Sequence, residues 1–129
     1  ISEGTDVYGE VHNSVIGSGV TIGKGSVIRD SIIMKNTVIG ENCVIDRAII
    51  AENSVVGDGA VLGVGEDIPN KKKPSVYCFG LVTIGDSTVI PPNVKIGKNT
   101  AIEGETTPED YPGGVLDSGE TLIKAGGVL

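Results

Sequence analysis

A repeat of seventeen residues constrains the fold of this chain more than any other feature of its sequence. Aliphatic residues recur in steps of five, six and six, and this series of steps occurs three times before it is interrupted. The recurring positions are Val11, Ile16, Ile22, Ile28, Ile33, Ile39, Ile45, Ile50, Val56 and Leu62. Aligned on the repeat, these residues form three columns, which indicates three faces in each turn of the chain.

Two further columns support this interpretation. Two residues before each aliphatic stands a mostly small residue, and side chains two apart on a strand point the same way, so these residues should face a narrow core. The small-residue positions are Gly9, Ser14, Val20, Ser26, Ser31, Thr37, Cys43, Ala48, Ser54 and Ala60. Three residues after the aliphatic, each six-residue step has a Gly or Asn, the residue types that accept the positive φ of a sharp corner. The corner positions are Gly19, Gly25, Asn36, Asn42, Asn53 and Gly59.

The same pattern resumes in the second half of the chain, at Ile84, Ile90, Ile96 and Ile102. Its corners carry Asn93 and Asn99, and Ser87 is the exception. We therefore predict an all-β chain, a triangular parallel β-solenoid of about five coils over residues 1–102. The repeat does not determine the handedness of the solenoid.

Two segments depart from the repeat. Residues 63–80, GVGEDIPNKKKPSVYCFG, contain two prolines and a run of three lysines, which predicts an exposed excursion from one corner. Residues 103–129 leave the repeat altogether and contain three apolar pairs. We expect them to form a C-terminal extension that packs on the solenoid or on another domain.

Charge and composition narrow the classes of function. The chain has 10 Lys plus Arg against 17 Asp plus Glu, a net charge of −7, and no basic stripe of the kind that binds nucleic acid. No apolar run approaches the roughly eighteen residues of a membrane span. Cys43 and Cys78 are predicted to be free thiols, as in a cytoplasmic protein. The start of the sequence, without an initiator Met or a signal-peptide pattern, suggests a piece of a longer polypeptide.

The sequence of the predicted solenoid contains no convincing set of catalytic residues. Hexapeptide solenoids are common among acyltransferases that use a histidine as general base, and an acyl-CoA-dependent acyltransferase is the alternative function. However, His12 is the only histidine and follows the inward position Val11, so it should point to solvent. One histidine also falls short of the ligands that a metal site in this fold requires. Cys43 lies in an inward slot and is expected to pack, so no catalytic or metal-binding residue is predicted.

Anion recognition remains as a candidate chemistry. Lys71, Lys72 and Lys73 form a basic run in the excursion, and Arg29 and Arg47 lie about one repeat apart, one residue out of register. These cations either face solvent or form part of an effector site shared with a further domain.

Residues 26–50, SVIRDSIIMKNTVIGENCVIDRAII, resemble the C-terminal domain of glucose-1-phosphate adenylyltransferase, the ADP-glucose pyrophosphorylase of bacterial glycogen and plant starch synthesis. That family carries DS-(V/I)-IM and RAII segments one coil apart, which correspond here to residues 30–34 and 47–50. After the excursion, residues 81–97, LVTIGDSTVIPPNVKIG, look like the segment in which the family returns to the solenoid. The resemblance covers about residues 7–102.

The resemblance implies a left-handed parallel β-helix attached to an N-terminal catalytic domain. That domain would transfer adenylyl from ATP to glucose 1-phosphate with Mg²⁺, whereas this chain would hold no cofactor and would not be catalytic alone. Its implied roles are packing against the catalytic domain, assembly of a homo- or hetero-tetramer, and a share in the allosteric site for a sugar-phosphate effector. On this basis the candidate effector-binding residues are Arg47, Lys71, Lys72 and Lys73.

One departure from the family bears on the effector. Plant-type members have effector-binding lysines at the positions of Asp46 and Cys78, and an acid is unfavourable beside an anionic ligand. The response to that activator, and the choice between a catalytic enzyme and a regulatory paralogue as the parent protein, therefore stay open.

Overall fold

A computed structural model describes residues 4–73, 75, 77 and 79–123, and they form the parallel β-solenoid that the repeat predicts. Short strands are distributed in rotation over three sheets, so that the chain visits each face once per coil. All strand pairs within the three sheets are parallel. Within the described ranges, the helical elements are two 3-10 turns, Pro108–Asp110 and Pro112–Gly114.

As far as β15, each sheet contains every third strand of the chain. Sheet A consists of β1 (Asp6–Val7), β4 (Thr21–Ile22), β7 (Val38–Ile39), β10 (Val55–Val56) and β13 (Val89–Ile90). Sheet B consists of β2 (Glu10–His12), β5 (Val27–Arg29), β8 (Val44–Asp46), β11 (Val61–Val64), β14 (Lys95–Gly97) and β16 (Val115–Leu116). Sheet C consists of β3 (Val15–Ile16), β6 (Ile32–Ile33), β9 (Ala48–Ile50), β12 (Val82–Ile84), β15 (Thr100–Glu103) and β17 (Thr121–Ile123).

The predicted aliphatic columns form the core. Ile16 pairs with Ile33, Ile33 with Ile50, and Ile50 with Ile84, so one column runs through sheet C across the excursion. These side chains are at most 1% exposed, as are their counterparts in the other two sheets from Ile22 onward. Val11, in the first coil, is only partly buried. The core is therefore a stack of like aliphatic side chains, which bury apolar surface only because coils lie above and below them.

The small inward residues also satisfy backbone groups. Ser26 Oγ donates to the carbonyl of Gly40 at 2.6 Å and accepts from the Cys43 amide at 3.0 Å. Ser31 Oγ likewise accepts from an amide one coil further on, that of Ala48, at 3.0 Å, but it donates to the nearby carbonyl of Arg29 at 2.7 Å. These hydroxyls are buried, and each one bonds a peptide amide and a peptide carbonyl. Hydroxyls in this column therefore stabilise the corners from inside.

The corner prediction is confirmed at every Gly and Asn position. Their φ values lie in the left-handed region, for example 70° at Gly19 and 58° at Asn36. Ser87, the exception in sequence, adopts the same conformation with φ 55°. The corner between sheets B and C, on the five-residue step, is also left-handed, with φ 48° at Asp30 and 52° at Arg47. The sequence pattern did not predict this third row, because its residues share no Gly or Asn signature.

The described part of the C-terminal segment extends the solenoid. Although residues 103–129 lack the repeat, the described part of them adds β16 to sheet B and β17 to sheet C. Sheets B and C consequently have six strands each, one more than the five coils predicted for residues 1–102. Strand pairing uses backbone groups, so a coil can form without the aliphatic spacing once turns bridge the gaps. In the described part of the chain, no helix has the length and hydropathy needed to cross a bilayer.

Candidate anion-binding corner

The candidate effector residues lie around the corner between sheets B and C, where the excursion leaves the solenoid. β11 ends at Val64 and β12 begins at Val82, so the excursion occupies residues 65–81. Arg47 stands on this corner, directly between β8 and β9. Its carbonyl accepts from the Val82 amide at 2.9 Å, and its Nη1 donates to the carbonyl of Phe79 at 3.2 Å. Arg47 therefore contacts the returning end of the excursion.

Asn99 holds both ends of the excursion to the solenoid. Its Oδ1 accepts from the Gly80 amide at 2.8 Å, at the returning end. Its Nδ2 donates to Asp67 Oδ1 and, at 2.9 Å, to the carbonyl of Ile68, near the departing end. Asn99 is 2% exposed; its bond to Gly80 is buried, and its bonds to Asp67 and Ile68 are partly buried. A residue predicted only as a corner thus also fixes a long loop.

Asn70 positions the lysine run. Its Nδ2 donates to the carbonyl of Asn99 at 2.9 Å, and its Oδ1 accepts from the amides of Lys72 and Lys73, both at 2.9 Å. Asn70 is 2% exposed, and all three lysines are exposed. The backbone of the run is therefore fixed against the Asn99 corner.

Lys71 is engaged with the last coil. Its ammonium forms an ion pair with Glu120, and its amide donates to the carbonyl of Gly119 at 2.9 Å. The hydrogen bond that the Lys71 ammonium donates to Glu120 raises the pKa of Lys71, with the Glu120 charge as the second cause. Arg47, on the corner, and the lysine run, in the excursion, therefore make different contacts: Lys71 bonds the terminal coil, whereas Arg47 bonds Phe79.

A further cation at this corner was missed in the sequence. Lys98 immediately precedes Asn99, and its amide donates to Ser118 Oγ at 3.0 Å. A Cβ placed on Gly80 would lie 3.7 Å from Lys98 Cδ and 3.8 Å from Arg47 Nη1. The two side chains therefore approach the same point, although they are two coils apart in strand order and far apart in sequence. An isolated lysine beside a corner carries no signal in sequence that could have identified it.

A groove of about 410 Å³ lies beside the departing end of the excursion. Its apolar walls come from Val64, Ile68, Val115 and Leu116, and Lys71 lies at its edge. Since the ammonium of Lys71 pairs with Glu120, the cation beside this groove already has a partner.

The other sequence candidates lie apart from this corner. His12 points outward from β2, with its Nε2 3.4 Å from Glu10 Oε2 in the first coil. Cys43 is fully buried, and burial raises the pKa of its thiol above the ordinary value, as expected of a packing residue. Cys78 lies outside the described residues. Across the described ranges, no three His, Cys, Asp or Glu side chains are grouped so that they could hold a metal ion.

Comparison with known families identifies the repeat. The family described as GlmU-like, C-terminal hexapeptide matches residues 1–84. The chain belongs to this hexapeptide family. The match spans the first ten strands, the whole of β11 and the excursion, and it ends with β12.

Several curated relatives of this hexapeptide chain carry one name. The chain is 69% identical over 126 residues to a glucose-1-phosphate adenylyltransferase from Lachnospira eligens, covering 98% of the chain and 30% of the relative. It is 59% identical over 123 residues to the glucose-1-phosphate adenylyltransferase of Thermotoga neapolitana, covering 95% of the chain and 29% of the relative. A third, from Acetivibrio thermocellus, is 40% identical over 126 residues, or 98% of the chain and 30% of the relative. The chain thus spans about 30% of the length of these relatives and corresponds to their C-terminal part.

Proposed function

We propose that this chain is the regulatory and assembly domain of a glucose-1-phosphate adenylyltransferase. The observation that carries the proposal is the 69% identity to the Lachnospira eligens relative over 98% of the chain. The match covers 126 residues and so includes the excursion and the C-terminal segment, whereas a generic hexapeptide repeat would account only for the repeated part of the chain.

In this proposal, the parent protein divides catalysis and assembly between two domains. The parent protein makes ADP-glucose and pyrophosphate from ATP and glucose 1-phosphate, with Mg²⁺ at the N-terminal catalytic domain, for glycogen synthesis in the cytoplasm. The solenoid, left-handed as in the family, packs against that domain and joins subunits into a tetramer. This chain supplies no catalytic group and no cofactor site of its own.

An anionic effector, such as a sugar phosphate, binds at the corner that carries Arg47. The support is the concentration of cations on and beside the excursion, with Arg47, Lys72, Lys73 and Lys98 around the Asn70–Asn99 contact. Buried amide side chains fix the loop, so the backbone that carries the cations is ordered. Binding of an anion therefore costs little conformational entropy of the backbone.

The decisive experiment is a two-part reconstitution. The chain alone, incubated with ATP, glucose 1-phosphate and Mg²⁺, should form no ADP-glucose, and the full-length Lachnospira eligens relative provides the parallel positive control. A hybrid that joins this chain to the N-terminal part of that relative should be active and tetrameric. ADP-glucose formation by the chain alone, or a hybrid that stays inactive and monomeric while the relative is active, would contradict the proposal.

A further inference from the structure

We propose that the groove beside the departing end of the excursion binds a small amphipathic cation. This ligand is an organic amine whose apolar body fills the groove and whose ammonium meets the carboxylates of Glu66 and Asp117. The site is separate from the proposed anion-binding corner, it favours the opposite charge, and it goes beyond the proposed function.

The first support is the size and the lining of the groove. Its volume of about 410 Å³ lies within the range of roughly 300–1,000 Å³ that is usual for small-molecule sites. Ile68 on the excursion is 42% exposed and Val115 on the last coil is 38% exposed, and both line the groove. The groove therefore leaves apolar side chains in contact with water, and an apolar ligand would remove that contact.

The two walls of the groove are held together by hydrogen bonds between the excursion and the last coil. The Lys71 amide donates to the carbonyl of Gly119 at 2.9 Å, and Asn70 Nδ2 donates to Thr121 Oγ1 at 3.2 Å. The Gly119 amide in turn donates to the carbonyl of Lys98 at 2.8 Å, which fixes the last coil to the coil before it. The groove is therefore formed before a ligand binds, and binding does not have to order either wall.

The second support is the sign of the charge around the groove. Glu66 and Asp117 line it, both are exposed, and neither forms an ion pair with another described residue. Lys71 also lines it, but its ammonium is paired with Glu120, so this pair adds no net charge. Lys95, on the neighbouring strand β14, does not line the groove. The lining is therefore negative through two unpaired carboxylates and favours a cation over an anion.

The third support is a buried hydroxyl in the lining. Ser118 is 8% exposed, and its Oγ lies 3.4 Å from the position of a Cβ on Gly65 and 2.6 Å from that of a Cβ on Gly97, which also line the groove. This Oγ accepts from the Lys98 amide at 3.0 Å, and among the described residues no group accepts from its O–H. An unpaired buried donor costs free energy, and an oxygen of a ligand would satisfy it.

These features together define the ligand by its chemistry. It has an apolar body, an ammonium that reaches the two carboxylates, and a hydroxyl or carbonyl oxygen that accepts from Ser118. An arylalkylamine with a hydroxyl group beside the amine has all three. A carboxylate or phosphate on the same body would instead be repelled by Glu66 and Asp117.

The first test compares related probes by calorimetry on the whole chain at physiological ionic strength. Phenethylamine carries a ring and an ammonium, phenethyl alcohol is its neutral counterpart, and phenylacetate is an anionic one. The amine should bind saturably and about tenfold more tightly than the alcohol, and phenylacetate should not bind. Equal affinities for the amine and the alcohol, or no saturable binding of the amine, would overturn the inference.

Matched variants locate the binding. Val115→Phe narrows the groove and should weaken phenethylamine about tenfold, whereas Val38→Phe, at a 42% exposed valine of sheet A, should leave it unchanged. Glu66→Gln and Asp117→Asn should each weaken it about threefold, and Glu41→Gln, at an exposed acid in the repeat, should not. Circular dichroism checks the fold of each variant. Equal effects of Glu41→Gln and Glu66→Gln would show general attraction to a chain of net charge −7, and the inference would then be wrong.

A further pair of probes tests the hydroxyl of Ser118. Phenylethanolamine differs from phenethylamine by one hydroxyl group and should bind about fivefold more tightly to the unsubstituted chain. Ser118→Ala should abolish this difference, and comparing two probes on one variant cancels the effect of losing the bond to Lys98. A difference that persists in Ser118→Ala would contradict the role of Ser118. None of these probes enters the assay of the hybrid enzyme, so failure of the groove and failure of the proposed function are distinguishable.

Discussion

The coils of residues 7–62 and the region of residues 63–123 reach the same architecture by different means. In the first region, inward aliphatics pair with similar residues in the next coil, and the hydroxyls of Ser26 and Ser31 each accept from an amide one coil further on. In the second, contacts that occur only once hold the structure, among them those of Asn70, Asn99 and Tyr111. The first region therefore distributes its stability over many equivalent contacts, whereas the second concentrates it in a few.

The cap of the last coils illustrates the difference. Tyr111 is 2% exposed and belongs to the core cluster, and its hydroxyl lies 2.9 Å from Thr106 Oγ1. It is the largest of the fully buried side chains, in a core otherwise made of aliphatic residues. The last coil of a repeat has no further coil to cover its core. At this end of the solenoid, the ring of Tyr111 covers the core as the next coil does elsewhere.

The largest effect on the free energy of unfolding is expected from a substitution in the repeat. Ile45→Ala should lower the free energy of unfolding by about 4 kcal/mol, because Ile45 is fully buried between neighbouring coils that cannot collapse into the cavity. Urea unfolding measures the change. Val44→Ala, on the outward side of the same strand, is the control and should cost much less. Equal losses for the two variants would show that the inward column does not dominate the stability of the coils.

The next effect concerns the cap and depends on pH. Burial raises the pKa of Tyr111 from 10.0 to about 12, and Thr106 only partly offsets this. The folded pKa is the higher one, so this stabilisation is complete below pH 10 and falls as the pH rises from 10 to about 12. The loss should reach about 3 kcal/mol, measured by urea unfolding across this range. Tyr111→Phe should remove this part of the pH dependence, and an unchanged dependence in that variant would assign it to other groups.

A smaller and more local effect is expected at the excursion. Asn99→Gly keeps a residue suited to φ 56° but removes the hydrogen bonds to Gly80, Asp67 and Ile68. We expect a loss of about 2 kcal/mol, since the partners left unbonded are partly exposed to water. Hydrogen exchange should accelerate in residues 65–81 and stay unchanged in the first three coils. Asn42→Gly, at an exposed corner in the repeat, is the matched control, and similar acceleration there would contradict a special role for Asn99.

The smallest effect tests the equivalence of slots in the repeat. Cys43 stands one coil after Ser26, and its Sγ contacts the carbonyl of Gly57 at 3.2 Å, as Ser26 Oγ contacts that of Gly40. Cys43→Ser should therefore change the free energy of unfolding by only about 0.5 kcal/mol, because the hydroxyl finds the same partner. Urea unfolding gives the value. Cys43→Val, similar in size but without a donor, serves as the comparison, and equal behaviour of the two would show that the hydrogen bond is unimportant.

The sequence alone was sufficient for the repeated part of the fold. Each inward position of Ile16 to Leu62 and each Gly or Asn corner was predicted correctly, because one requirement recurs in every coil and leaves a periodic trace in the sequence. The sequence also placed Arg47 and the lysine run in and beside one excursion, although their role as effector contacts stays a prediction.

Only the tertiary structure decided the contacts that occur once. The sixth coil, the hold of Asn99 on both ends of the excursion, the Lys71–Glu120 pair and the meeting of Lys98 with Arg47 over Gly80 all join residues far apart in the chain. Such a contact needs no periodic residue pattern, since it depends on where backbone and side-chain groups come to lie after the coils have stacked. The repeat therefore determined the solenoid. Folding of the solenoid then brought together the residues of the corner at which the chain is proposed to bind an anion.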